Sequence, residues 1–132
     1  MILNGCAQWF LGDGRGDIKI PLKDEYYIFE VNSTCIDFCK KSPEGSYHRV
    51  IDRYFVTMFY VSDFYICLGG IHTESWSISE QERKHGSTAY YLYNTDTGDL
   101  DGPYWDLNVF ESCCNTKDFS VENNWLFVRD YQ

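Results

Sequence analysis

The sequence predicts an all-β protein, an antiparallel β sandwich or barrel-like closure of about eight strands, with one or two short helices. Three observations predict it. Of the 132 residues 24 are aromatic (11 Tyr, 9 Phe and 4 Trp), types that suit a pleated, half-buried surface. Short apolar stretches recur every ten residues or so, separated by clusters of Gly, Asp, Asn and Ser, as in sandwiches. One run, residues 47–61, is apolar on both alternating faces, as a central strand between two layers must be. An α+β sheet with one packed helix is the alternative. The length suits one domain, residues 1–132, and 44% apolar with 23% charged residues excludes global disorder, collagen and coiled coil.

In chain order, Gly12 to Asp17 reads as a flexible turn after a first apolar run. Ile18, Ile20 and Leu22 alternate with Lys19 and Pro21, the pattern of an edge strand. Residues 25–31, with Tyr26, Tyr27, Ile28 and Phe29 inside, form a second strand buried on both faces. Thr34 to Asp37 has the spacing that caps a short helix through Lys41, with a strand as the rival reading. In residues 47–61, Val50, Tyr54, Val56, Met58 and Tyr60 share one face, and Ile51, Phe55, Phe59 and Val61 the other. Ser62-Asp63 turns the chain, and residues 64–68 return as the hairpin partner, ended by Gly69-Gly70. Residues 73–78 alternate weakly. Ser77 and Glu80 have capping-box spacing and Gly86 takes the place of a C-terminal cap, so residues 78–85 form a short helix or polar loop. Residues 88–93 are a strand, and Asn94 to Asp99 a hairpin turn in which Gly98 supplies a positive φ. After a second turn at Asp101 to Pro103, residues 104–112 and 125–130 supply the last strands.

The charge is uneven. Residues 91–132 hold 8 acids against 2 cations, which is two thirds of the net charge of −9. The 32 residues between Lys84 and Lys117 contain no Lys or Arg, yet they include Asp96, Asp99, Asp101, Asp106 and Glu111. A negative surface repels nucleic acid and anionic membranes and attracts basic proteins. Aromatics lie among these acids, and anchors combined with charge of one sign suit a protein interface. The partner-binding residues expected are Asp96, Asp99, Asp101, Tyr104, Trp105 and Asp106, facing a basic protein; a solubilising acidic face is the plainer reading.

No motif carries chemistry. The glycines at 12, 14 and 16 have the wrong spacing for a dinucleotide loop, and Arg15-Gly16-Asp17 is a three-residue coincidence. Cys35 and Cys39 are spaced as a zinc knuckle, but the adjacent Cys113 and Cys114 make a poor second one. Aligned to a calcium loop, Asp99, Asp101 and Gly102 fit, while Thr97 and Asn108 occupy places that need acids. Pairing Cys35 or Cys67 with His72 is non-specific in a chain with six Cys and three His. The sequence therefore predicts no catalytic residue, no metal and no cofactor. The first residues lack a basic stretch, a continuous apolar core and a small-residue cleavage site. The expectation is a cytoplasmic protein whose six cysteines are reduced thiols. Its nearly uncharged apolar runs, of about ten residues, are too short to span a bilayer.

Size, acidity, the missing signal and residues 91–105 (Tyr-Leu-Tyr-Asn-Thr-Asp-Thr-Gly-Asp-Leu-Asp-Gly-Pro-Tyr-Trp) resemble the small cytoplasmic immunity proteins of bacterial contact-dependent growth inhibition and related polymorphic toxin systems. The resemblance implies a monomer that binds the toxin domain of a cognate effector tightly and 1:1, often a basic nuclease, and occludes its active site. That class is diverse in fold, so it assigns no residue roles. The alternatives are a phage-type inhibitor or nucleic-acid mimic that blocks a DNA-binding protein, and a small ligand-binding β protein.

Overall fold

Alternating side chains build the first sheet. The computed structural model describes residues 18–132; the expected turn from Gly12 to Asp17 and the apolar run before it lie outside the described residues. Strands β1 (Ile18–Lys23), β2 (Tyr26–Asn32), β3 (Cys35–Lys41) and β4 (Tyr47–Arg49) pair antiparallel in that order. Ile20, Ile28, Ile36 and Phe38 point into the main core, while Phe29, Cys39 and Tyr47 cluster on the opposite face. The second sheet has the order β8-β7-β6-β5-β9, with β5 Tyr54–Val61, β6 Tyr65–His72, β7 Ala89–Asn94, β8 Leu100–Tyr104 and β9 Leu126–Phe127. The two sheets enclose the main core, in which Tyr26 from one sheet meets Tyr93 from the other, hydroxyl to hydroxyl at 2.7 Å. The polar tips of both rings are thereby satisfied inside an apolar layer. The all-β sandwich with few helices is thus the observed fold.

A third layer covers the outer face of the second sheet. Helix α2 (Leu107–Asn115) buries Phe110 and Cys114 against Cys67, Tyr90 and Leu92. This replaces the strand expected over residues 104–112. Asp106 caps the helix by accepting the N–H groups of Asn108 and Val109. Phe110 and Cys114 then share a face at i, i+4, so the helix gains burial that a strand there would not.

Four further expectations are corrected. Residues 35–41 form a strand and not a helix. Asn32 Oδ1 accepts the Thr34 N–H at 2.9 Å, which closes the β2–β3 turn instead of capping a helix. The run 47–61 is two strands. β4 ends in the first sheet, Arg53 takes φ 51, and β5 starts in the second. Within β5 an irregularity between Val56 and Met58 breaks the expected alternation. Tyr54, Val56 and Phe59 therefore face the main core, and Met58 and Tyr60 face the helix layer. Gly69 and Gly70 do not end β6, which runs on to His72. A Cβ on Gly70 would lie 2.3 Å from the Phe55 carbonyl oxygen, so only glycine lets these strands approach so closely. Strand β9 is two residues long, and the chain leaves it through a 3-10 helix, Val128–Tyr131, in place of the longer strand expected to Asp130.

Residues 73–79 are a loop. The capping box belongs to Ser79 and Glu82, two residues later than expected, and starts the short helix α1 (Glu80–His85). No described helix is long and apolar enough to cross a membrane.

Candidate functional site: the acidic edge of the second sheet

Strand β8 is the edge of its sheet, and four of its five residues are exposed. The turn that precedes it is preorganised by its own side chains. Asn94 Oδ1 accepts the N–H groups of Asp96 at 2.8 Å and Thr97 at 3.1 Å, and Thr97 Oγ1 accepts that of Asp99 at 3.2 Å. Gly98 has the positive φ that the turn chemistry predicted, +80°. The Thr95 N–H donates to the Phe64 carbonyl at 2.9 Å, which ties this turn to the β5–β6 turn. Asp96 and Asp99 are exposed on this tip, and no hydrogen bond among the described residues involves either carboxylate.

Asp101 is held differently. The Tyr104 hydroxyl donates to its Oδ2 at 2.6 Å, and this bond raises the tyrosine pKa. The Tyr104 ring meets Phe110 edge-on at 5.6 Å, so Tyr104 is a half-buried link between strand and helix. Gly102 has φ +138°, and a Cβ there would meet the Tyr90 carbonyl oxygen at 2.7 Å. Trp105 is 59% exposed. Its ring contacts His72 at 6.2 Å, and His72 Nε2 lies 2.5 Å from the Tyr91 hydroxyl. Burial lowers the His72 pKa, so near neutral pH this support is a neutral imidazole. Asp106, though exposed, is the helix cap.

The six expected residues thus lie along one edge, but they do not form one cluster. Asp96 and Asp99 sit on the tip, Asp101 and Tyr104 are bonded to each other near the two ends of β8, and Trp105 and Asp106 follow the strand. Six residue steps take the chain from Asp99 to Trp105, roughly 20 Å at ~3.3 Å per step. Sequence reasoning missed His72 and Tyr91 beneath Trp105, and the exposed Val109 beside Asp106. Pairing across strands brings the first two there, and neither is near Trp105 in sequence. An exposed strand edge that carries carboxylates and one large uncovered aromatic offers contact and steering.

The other sites weighed in the sequence come apart in space. Cys35 and Cys39 belong to the first sheet, whereas Cys113 and Cys114 belong to the helix layer beyond the second. Among the described residues no three His, Cys, Asp or Glu side chains are placed to hold a metal ion. His72 packs on Tyr54, Tyr91 and Trp105, while Cys67 lies with its Sγ 3.9 Å from that of Cys114. The expectation of six thiols fails at Cys35, which is disulfide-bonded. Cys39, Cys67, Cys113 and Cys114 are free. Denatured without reductant, the chain should titrate four thiols, and after reduction six; six in both conditions would remove the disulfide.

Asp37 and Arg49 form a buried ion pair at 3.2 Å on the outer face of the first sheet. Burial is the larger influence on Asp37 and raises its pKa from 3.8 to about 6, although Arg49 pulls it down. A carboxyl group raised by folding adds stability that is fully present below its unfolded pKa, near 3.8, and lost as pH rises through about 6. Its side-chain carbon resonance should titrate with a midpoint near 6. Asp37→Asn should flatten the pH dependence of unfolding between about 4 and 6. A midpoint near 4 would contradict both.

Comparison of the chain with protein-family models, with curated proteins and with solved structures finds no match.

Proposed function

We propose that this chain is an immunity protein that binds and neutralises the basic, nuclease-type toxin domain of a cognate effector. The observation that carries the proposal is the edge of the second sheet, where the preorganised acidic turn and the uncovered Trp105 lie in a stretch of chain without a single Lys or Arg. A nuclease holds positive charge around its substrate cleft. Carboxylates on a fixed turn compete for that charge, and an aromatic anchor that loses water on binding supplies affinity. The complex is 1:1, and occlusion alone inhibits, so the inhibitor needs neither a cofactor nor a catalytic group of its own.

The test is protection. The reading frame adjacent to this gene is expressed in bacteria with or without this chain, and growth should depend on the chain. Asp96→Lys/Asp99→Lys touches no hydrogen-bonded side chain, so it should keep the native melting temperature while weakening protection. Full protection by this variant, with unchanged binding, would take the tip out of the interface. No toxicity from the adjacent frame, and no binding to it, would overturn the reading. The proposed place of action is the cytoplasm, where an incoming nuclease meets its substrate. The Cys35 disulfide itself fits an oxidising compartment, so the cytoplasmic placing requires six thiols in protein taken directly from cells, and four there would overturn it.

A further inference from the structure

A crevice of about 290 Å³ opens between the two sheets on the β5–β9 side, away from the acidic edge. Its floor is the main core itself: Ile36, Phe55, Val56, Ile71 and Val128 line it, and all five are buried residues of that cluster. Two exposed cations stand on its rim. Arg83 of α1 lies with its guanidinium 5.1 Å from the Phe55 ring centre, and Arg129 of the 3-10 helix lies 4.9 Å from that of Phe127. The segments that carry them are 46 residues apart in sequence, so the fold alone brings both to one opening. Arg83 Nη2 donates to the Ser33 carbonyl at 2.8 Å, which fixes that side chain. Among the described residues neither arginine has a carboxylate within ion-pair distance, whereas Lys40 and Arg49 do.

We propose that this crevice binds a small amphiphilic carboxylate, its alkyl body on the core side chains and its headgroup on Arg83 and Arg129. The proposal is independent of the toxin-binding reading, which uses another edge of the molecule. The volume is at the lower end of the ~300–1,000 Å³ common for ligand sites. It suits a short chain and not a long lipid. The guanidinium fork matches a carboxylate with two parallel hydrogen bonds. Charge selects the monoanion. Glu30 is buried near the crevice and accepts from Nε2 of the lining Gln132 at 2.8 Å, its other oxygen unpartnered. A carboxylate beside the crevice disfavours added negative charge, so a monoanion is tolerated better than a phosphate dianion. The Thr57 hydroxyl in the lining already donates to the Gly69 carbonyl at 3.2 Å, so the arginines are the donors that remain for the headgroup.

The experiment titrates the full chain with hexanoate, hexylamine, hexanol and hexyl phosphate, followed by calorimetry and by the amide and guanidinium resonances. Hexanoate should bind saturably and shift the signals of Arg83, Arg129 and Thr57, with hexylamine and hexanol at least about tenfold weaker. Arg83→Gln and Arg129→Gln each keep most of the stem over its ring, so each should leave the melting temperature in place and weaken hexanoate by about tenfold or more. Equal binding of hexanol or hexylamine would overturn the anionic headgroup, and tighter binding of hexyl phosphate would overturn the carboxylate. No saturation, or unchanged hexanoate affinity in the double variant, would overturn the site. None of these outcomes bears on protection against a toxin, so the two proposals fail separately.

Discussion

Replacing Phe59 with alanine should lower the free energy of unfolding by about 3–5 kcal/mol. The side chain is 2% exposed, and its strand is hydrogen-bonded on both sides, with Leu68 and Leu126 as its neighbours in register. The irregularity after Val56 turns Phe59 into the space between the sheets, among Ile66, Leu68 and Tyr93. Truncation there removes apolar contact and leaves a cavity that two paired backbones cannot close. Against a total stability of ~5–15 kcal/mol the loss is large enough to unfold part of the population at growth temperature. Phe64→Ala is the control: that ring is 61% exposed, and its loss should stay within about 0.5 kcal/mol. Denaturant midpoints of the two variants decide the matter. An unchanged midpoint for Phe59→Ala would mean that this side of β5 does not face the core.

Trp105→Ala should speed dissociation from the proposed toxin partner about 30- to 1,000-fold, the equivalent of ~2–4 kcal/mol for a desolvated aromatic anchor. An Asp99→Lys change should act on the other rate, slowing association and flattening its salt dependence, because steering acts before contact. The exposure of Trp105 makes the experiment clean. At 59% exposed it contributes little to the core, so its loss should leave the unfolding midpoint in place. Tyr104 differs from its neighbour. It packs on Phe110 and bonds Asp101, so Tyr104→Ala should cost stability first and binding only as a consequence. Unchanged dissociation of Trp105→Ala, with both proteins folded, would move the anchor elsewhere on the surface.

The same residues mark how far the sequence could be read. The acidic, aromatic segment was visible as composition, and Gly98 as turn chemistry, because both are local properties. That Trp105 is uncovered and Tyr104 is not was invisible, since two adjacent aromatics carry the same pattern and only the helix packed beside them separates their roles. The arginines of the crevice left no sequence signal either, because Arg83 and Arg129 meet only through the closure of the sandwich.

By itself, then, the sequence determined that this protein is built from short antiparallel strands and that its negative charge gathers on one stretch. Period-two alternation, turn residues and charge counts need no distant partner to be read. The tertiary structure decided the rest. Residues 35–41 are a strand because β2 and β4 flank them, and residues 107–115 are a helix because Phe110 and Cys114 find an apolar sheet face at helical spacing. The run from residue 47 divides between two sheets at Arg53, and Gly70 lies inside β6 because the Phe55 backbone passes too close for any side chain. For short apolar segments the local preferences for helix and strand differ by less than the free energy of burying one large side chain, so the neighbour that does the burying makes the choice.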